Sequence, residues 1–155
     1  IAEVLGKGEA NCRQMVKRAR DRLADGKRRF DAEPEVYEEL ALRFMRAIKE
    51  GDVSTLVASL AENAALYSDH GGKAAAAKRT IVTPDKISRF LVGVTKRFAP
   101  LDFRSEIRTI NGLPGIVTYS GECVDTVMTF DVRDGKVGNL YMVRNPEKLQ
   151  RVPMN

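Results

Sequence analysis

The stretch LDFRSEIRTINGLPGIVTYSGECVDTVMTFDVRDGKVGNLYMV, residues 101–143, decides the fold. Leu101, Phe103 and Ile107 alternate with Asp102, Arg104, Glu106 and Arg108, the two-residue period of a strand with one wet face. Asn111-Gly112 turns that strand into Ile116 to Ser120. The segment Glu122 to Arg133 follows, with Val124, Met128, Phe130 and Val132 expected on one face and Asp125 consequently facing outward. Asp134-Gly135 is a second hairpin turn, leading to a strand from Lys136 to Val143. The stretch therefore reads as a meander of antiparallel strands.

Working back from Pro100, the period changes to that of helices. Thr83-Pro84-Asp85 is a helix start, and Ile87, Phe90, Leu91, Val94 and Phe98 form its apolar stripe. A strand is expected from Ala64 to Ser68, turning at DHGGK and returning from Ala74 to Val82. Asp52 caps a short helix with Val53, Leu56, Val57 and Leu60 inward. Before it, Val36, Tyr37, Leu40, Ala41, Phe44, Met45 and Ile48 define a helix from Glu35 that ends at Gly51. Helices followed by a long meander predict an α+β domain whose sheet curves around three helices.

The segment GKGEANCRQMVKRARDRL, residues 6–23, is of another kind. Cys12, Met15, Val16, Ala19 and Leu23 make an apolar stripe, and the opposite face carries Glu9, Asn11, Arg13, Gln14, Lys17, Arg18 and Arg20. Residues 1–29 hold nine Lys or Arg against four acids, whereas residues 30–155 hold seventeen of each. The whole net charge of +5 thus resides in the first segment. A helix ending at Gly6, a tight turn and a cationic, amide-bearing helix have the layout of a DNA-reading helix-turn-helix. ADGKRRFDAEP, residues 24–34, interrupts the periodic pattern as a linker.

The residues of IAEVLGKGEANCRQMVKRARDRL, 1–23, resemble the end of domain four of bacterial extracytoplasmic-function sigma factors. There an Ile-Ala-Glu-x-Leu-Gly-x-Ser lead precedes a recognition helix ending in Arg-Ala-Arg. The chain keeps Ile1, Ala2, Glu3, Leu5, Gly6, Arg13, Arg18, Ala19 and Arg20, and carries Gly8 in place of the capping serine. From Glu35 to Val143 the order of elements is similar to the SnoaL-like branch of the nuclear-transport-factor-two superfamily, a cone-shaped fold. Sigma factors bearing such an extension have two further motifs. An Asp-Gly-Gly-Gly-Lys turn is matched by Asp69, His70, Gly71, Gly72 and Lys73, and a terminal Asn-Pro-Asp-Lys-Leu by Asn145, Pro146, Glu147, Lys148 and Leu149.

The resemblance implies four parts: residues 1–25 from sigma domain four, a linker over 26–34, a SnoaL-like domain over 35–144, and a tail over 145–155. It implies a transcription-initiation factor whose extension regulates it. Its partners would be promoter DNA, the RNA polymerase core through parts preceding Ile1, and its own sigma domains. A start at Ile rather than Met fits a piece of something longer. Arg13, Lys17, Arg18 and Arg20 are expected on the DNA backbone, with Glu9, Asn11 and Gln14 nearest base edges.

Other readings lie beside this one. Enzymes of the cone fold use a pocket carboxylate or histidine as proton acceptor, with hydrogen-bond donors at the enolate, and Tyr67, Asp69, Tyr119, Asp125 and Tyr141 are the candidates for these roles. No pair can be shown to converge from sequence, and a single histidine, His70, in a Gly-rich turn is ordinarily solvated. The alternatives are a stand-alone ketosteroid-isomerase-like enzyme, or a sensor with a small ligand in the cone. Cys12 and Cys123 are far apart, so neither a disulfide framework nor a metal site is expected, and no cofactor is predicted. At 155 residues, with 43% hydrophobic and 30% charged residues and no apolar run of membrane length, a cytoplasmic globular chain is expected.

Overall fold

The computed structural model describes residues 33–72, 77, 79–98, 102–150 and 152, together with residues 8, 14, 16 and 17. The chain divides into two compact units, Ile1–Asp31 and Ala32–Asn155. In the first, Gln14, Val16 and Lys17 are helical and exposed. Val16, expected on the apolar stripe, is 51% exposed.

The second unit opens with α1 (Pro34–Glu50), whose proline stands in the first turn, where no N–H is needed. Tyr37, Leu40, Ala41, Phe44 and Ala47 form its buried face. Val36, expected on that stripe, is exposed, because it lies one residue, about 100°, around the helix from Tyr37. Gly51 stops the helix at φ 75°. Asp52 then caps α2 (Val53–Ser59), accepting from Thr55 N at 3.0 Å and Thr55 Oγ1 at 2.6 Å. These bonds hold its carboxyl below the usual aspartate range. Leu60, expected on α2, instead takes extended backbone and opens β1 (Leu60–Asp69), where it is buried all the same.

The expected return strand from Ala74 shortens, among the described residues, to β2 (Ile81–Val82). Val82 pairs with Ala65 and Ile81 with Leu66, two β-branched residues suited to a strand. Then come α3 (Pro84–Phe98), β3 (Phe103–Ile110), β4 (Leu113–Ser120), β5 (Cys123–Arg133) and β6 (Lys136–Val143). Residues 111–112 and 134–135 all have positive φ, the geometry that two-residue hairpin turns demand. A final helical turn, α4 (Pro146–Leu149), closes the described fold.

The strand order is β2-β1-β6-β5-β4-β3. All pairs are antiparallel except β1 with β6, which is parallel and aligns Asp69 with Val143. One face of the sheet wraps the helices around a core that includes Tyr37, Phe44, Leu56, Leu66, Phe130 and Leu140. Tyr37 stacks on Phe130 at 5.9 Å, and its hydroxyl accepts from Val132 N at 3.1 Å. The opposite face carries a smaller cluster of Val117, Tyr119, Val127 and Leu149.

Two irregularities correct the expected faces of β5. Tyr119 pairs with Val124 and Thr118 with Thr126, so Asp125 is an extra residue, a bulge. The bulge switches the alternation: Val124 joins the second cluster, away from Met128, Phe130 and Val132. Further along, Phe130 pairs with Leu140 but Val132 with Val137, which leaves an extra residue on β6. Asp131, only 4% exposed, holds that kink by accepting from Asn139 N at 2.7 Å and Asn139 Nδ2 at 2.9 Å. A side chain at Gly138 would collide with Asp131 Oδ1.

Candidate functional site

The parallel β1–β6 pairing carries the two glycine- and asparagine-bearing motifs to the same end of the sheet. Arg144 N donates to Asp69 O at 2.7 Å, so the ladder runs into the start of the second motif. Beyond it Asn145 caps α4, accepting from Glu147 N at 3.2 Å, and Pro146 fills the first helical position. Lys148 Nζ reaches Asp69 Oδ2 at 2.6 Å. Asp69 Oδ1 accepts from Gly71 N at 3.2 Å, and His70 Nδ1 accepts from Gly72 N at 3.0 Å. The Asp69 carboxyl is held below the usual range chiefly by the Lys148 hydrogen bond, against a smaller opposing effect of burial.

Gly71 is required here for space as well as conformation. Its φ is +57°, and a Cβ would lie 2.6 Å from the Asn145 side chain. Asn145 is 9% exposed and Leu149 is 6% exposed. The two motifs therefore build one junction: a backbone turn from β1, an asparagine packed on its glycine, and a lysine clasping its aspartate. Leu149, expected in the terminal motif, is the apolar anchor beneath it. Lys73 lies outside the described residues.

The remaining candidates do not assemble a catalytic centre among the described residues. Tyr67 and Tyr141 stack on each other at 5.6 Å and are 44% and 39% exposed. Tyr119 is buried, its hydroxyl engaged with Glu106 and Arg108. Asp125, expected to face outward, is half-buried because the bulge turns it, and it accepts from Arg144 Nη2 at 2.7 Å. The part played by Glu106, Arg108 and Arg144 was not visible in sequence, since each acts through a partner on another strand. No cluster of metal-ligating side chains occurs among the described residues. A cleft of about 440 Å³ does exist, but it lies along α1 and α2, lined by residues including Glu39, Arg43, Arg46 and Asp52. Of the expected DNA-contacting residues, Gln14 and Lys17 are helical and exposed. Glu9, Asn11, Arg13, Arg18 and Arg20 lie outside the described residues.

Helices cupped in a curved, mostly antiparallel sheet make this domain a nuclear-transport-factor-two-like cone. A protein of that class from Mesorhizobium loti shares the fold, with a TM-score of 0.51 at 12% identity over 73% of this chain and 93% of its own. No protein-family model matches the sequence. Over 99% of its length the chain is 32% identical to the ECF RNA polymerase sigma factor SigJ of Mycobacterium tuberculosis, covering 52% of that protein. The crystal structure of SigJ superposes with a TM-score of 0.69 at 31% identity, over 99% of this chain and 55% of that one. The chain thus spans about half the length of the curated relative it matches. The resemblance read in the sequence is borne out: the chain is homologous to an extracytoplasmic-function sigma factor with a fused cone domain.

Proposed function

We propose that the chain is the promoter-reading and regulatory portion of a transcription-initiation factor. Arg13, Lys17, Arg18 and Arg20 hold DNA phosphates while Glu9, Asn11 and Gln14 meet base edges, and RNA polymerase core engages the parent protein in the cytoplasm. The cone domain regulates that activity without catalysis of its own. Its regulatory surface is the junction of Asp69, Gly71, Gly72 and Lys73 with Asn145, Pro146, Glu147, Lys148 and Leu149, through which it contacts the other sigma domains.

The observation that carries this reading is the junction itself. Two motifs far apart in sequence meet through an ion pair and a close glycine contact. Core side chains such as Tyr37, Phe44 and Phe130 pack between the helices and the sheet, while the junction lies at the end of β1 and β6. Among the described residues no helix is long and apolar enough to cross a membrane.

The test uses the longer parent protein. Lys17→Ala should weaken promoter binding about uniformly across sequences and make the salt slope shallower by about 1. Lys148→Ala should change transcription from the same promoter with DNA affinity unaltered. Unchanged binding in the first variant would sink the DNA assignment, and unchanged transcription in the second would sink the regulatory one.

A further inference from the structure

Tyr119 combines full burial with an unusual set of neighbours. It is 2% exposed and lies in the cluster with Val117, Val127 and Leu149, on the face of the sheet away from the helices. Its hydroxyl donates to Glu106 Oε1 at 2.6 Å and accepts from Arg108 Nη1 at 3.1 Å. The Arg104 guanidinium lies over its ring, 4.0 Å from the centroid. Arg104 and Arg108 also balance Glu106, at 3.4 and 3.9 Å. These three charged residues alternate along β3, the outermost strand, and so share one face of it.

A buried phenol requires a partner for its O–H, and a carboxylate is among the strongest acceptors available. Two further cations fix the ring's tilt. What lies in the same cluster is Leu149, the anchor of α4, while Lys148 beside it reaches across to Asp69.

We infer that Tyr119 is a positioning residue for the C-terminal motif. Glu106, Arg104 and Arg108 hold its ring as a wall of the cleft that seats Leu149, and the seated leucine sets α4 so that Lys148 meets Asp69. The edge strand thereby governs a junction formed at the other side of the sheet. The inference rests on the regulatory reading of that junction for its biological meaning, but its geometry is tested separately.

The test is amide hydrogen exchange in the full chain. Lys148 N and Leu149 N both donate to Asn145 O and report whether α4 is formed. Val132 N, bonded to the Tyr37 hydroxyl, reports the main core. In Tyr119→Phe and in Glu106→Ala, exchange at Lys148 and Leu149 should rise about tenfold, the effect of one lost charge-assisted hydrogen bond, with Val132 unchanged. Glu106→Gln, which keeps an acceptor, should restore most of the protection. The Asp69 carboxyl should also titrate closer to an ordinary aspartate in Tyr119→Phe. Unchanged exchange in α4, or an equal rise at Val132, would overturn the inference. If α4 loosens while transcription by the parent protein is unaltered, the positioning role stands and the regulatory reading fails.

Discussion

Lys148 Nζ lies 2.6 Å from Asp69 Oδ2 although 79 residues of chain separate them. Because this contact and the Gly71 amide favour the ionised carboxyl, Asp69 in the folded chain titrates below its unfolded value. Its contribution is therefore present above the ordinary aspartate range and lost as pH falls through the depressed value. Both side chains are well exposed, at 63% and 38%, so salt should weaken the pair. NMR titration should find Asp69 below a free aspartate, and Lys148→Ala should move it upward. An Asp69 that titrates identically in both proteins would show that the pair does not form in solution.

Gly71 and Gly72 both have positive φ, yet substitution should separate them. Gly72→Ala meets open space and suffers only backbone strain, about 1 kcal/mol. Gly71→Ala adds a collision with Asn145 and should cost more, about 2–3 kcal/mol, concentrated in α4. Urea unfolding gives the two costs, and exchange at Leu149 N locates the difference.

Tyr37→Phe keeps the ring stacked on Phe130 but strips Val132 N of its buried acceptor. The expected destabilisation is about 1–3 kcal/mol, from an unsatisfied buried donor rather than from a cavity. Denaturant unfolding should show a lower midpoint with an unchanged slope.

Asp131 holds the β6 kink through two bonds to Asn139. Asp131→Ala should cost about 2–3 kcal/mol, since it orphans a backbone amide and empties a closely packed site. Asp131→Asn, which can still accept from Asn139 N, should cost less. Equal losses would mean that charge, not acceptor geometry, supports the kink.

The local parts of the fold were legible in residue pattern. The stripe around Tyr37, Leu40 and Phe44, the Asp52 cap, and the Asn111-Gly112 and Asp134-Gly135 turns each rest on neighbours within a few residues, where periodicity and φ preference act. The bulge at Asp125 was not legible, because two-residue alternation continues through it in the letters and only the partner strand shows the extra residue. Nor was the parallel β1–β6 pairing, which joins segments more than seventy residues apart. The motifs of the junction could be recognised singly, but Asp69 and Lys148 carry no mark that they meet. The burial of Leu149 was hidden for the same reason: its apolar partners, Val117 and Val127, lie on the strands of the meander.

The parallel β1–β6 ladder has a kinetic consequence. It closes the longest loop in the described sheet, with nearly the entire meander lying between its two strands. Loop closure over that span is entropically the hardest step, so this ladder should zip up after the local hairpins. The contact between Asp69 and Lys148 forms only once that has happened. A chain whose sheet is incomplete therefore lacks the junction, and the pair should be among the last native contacts to form.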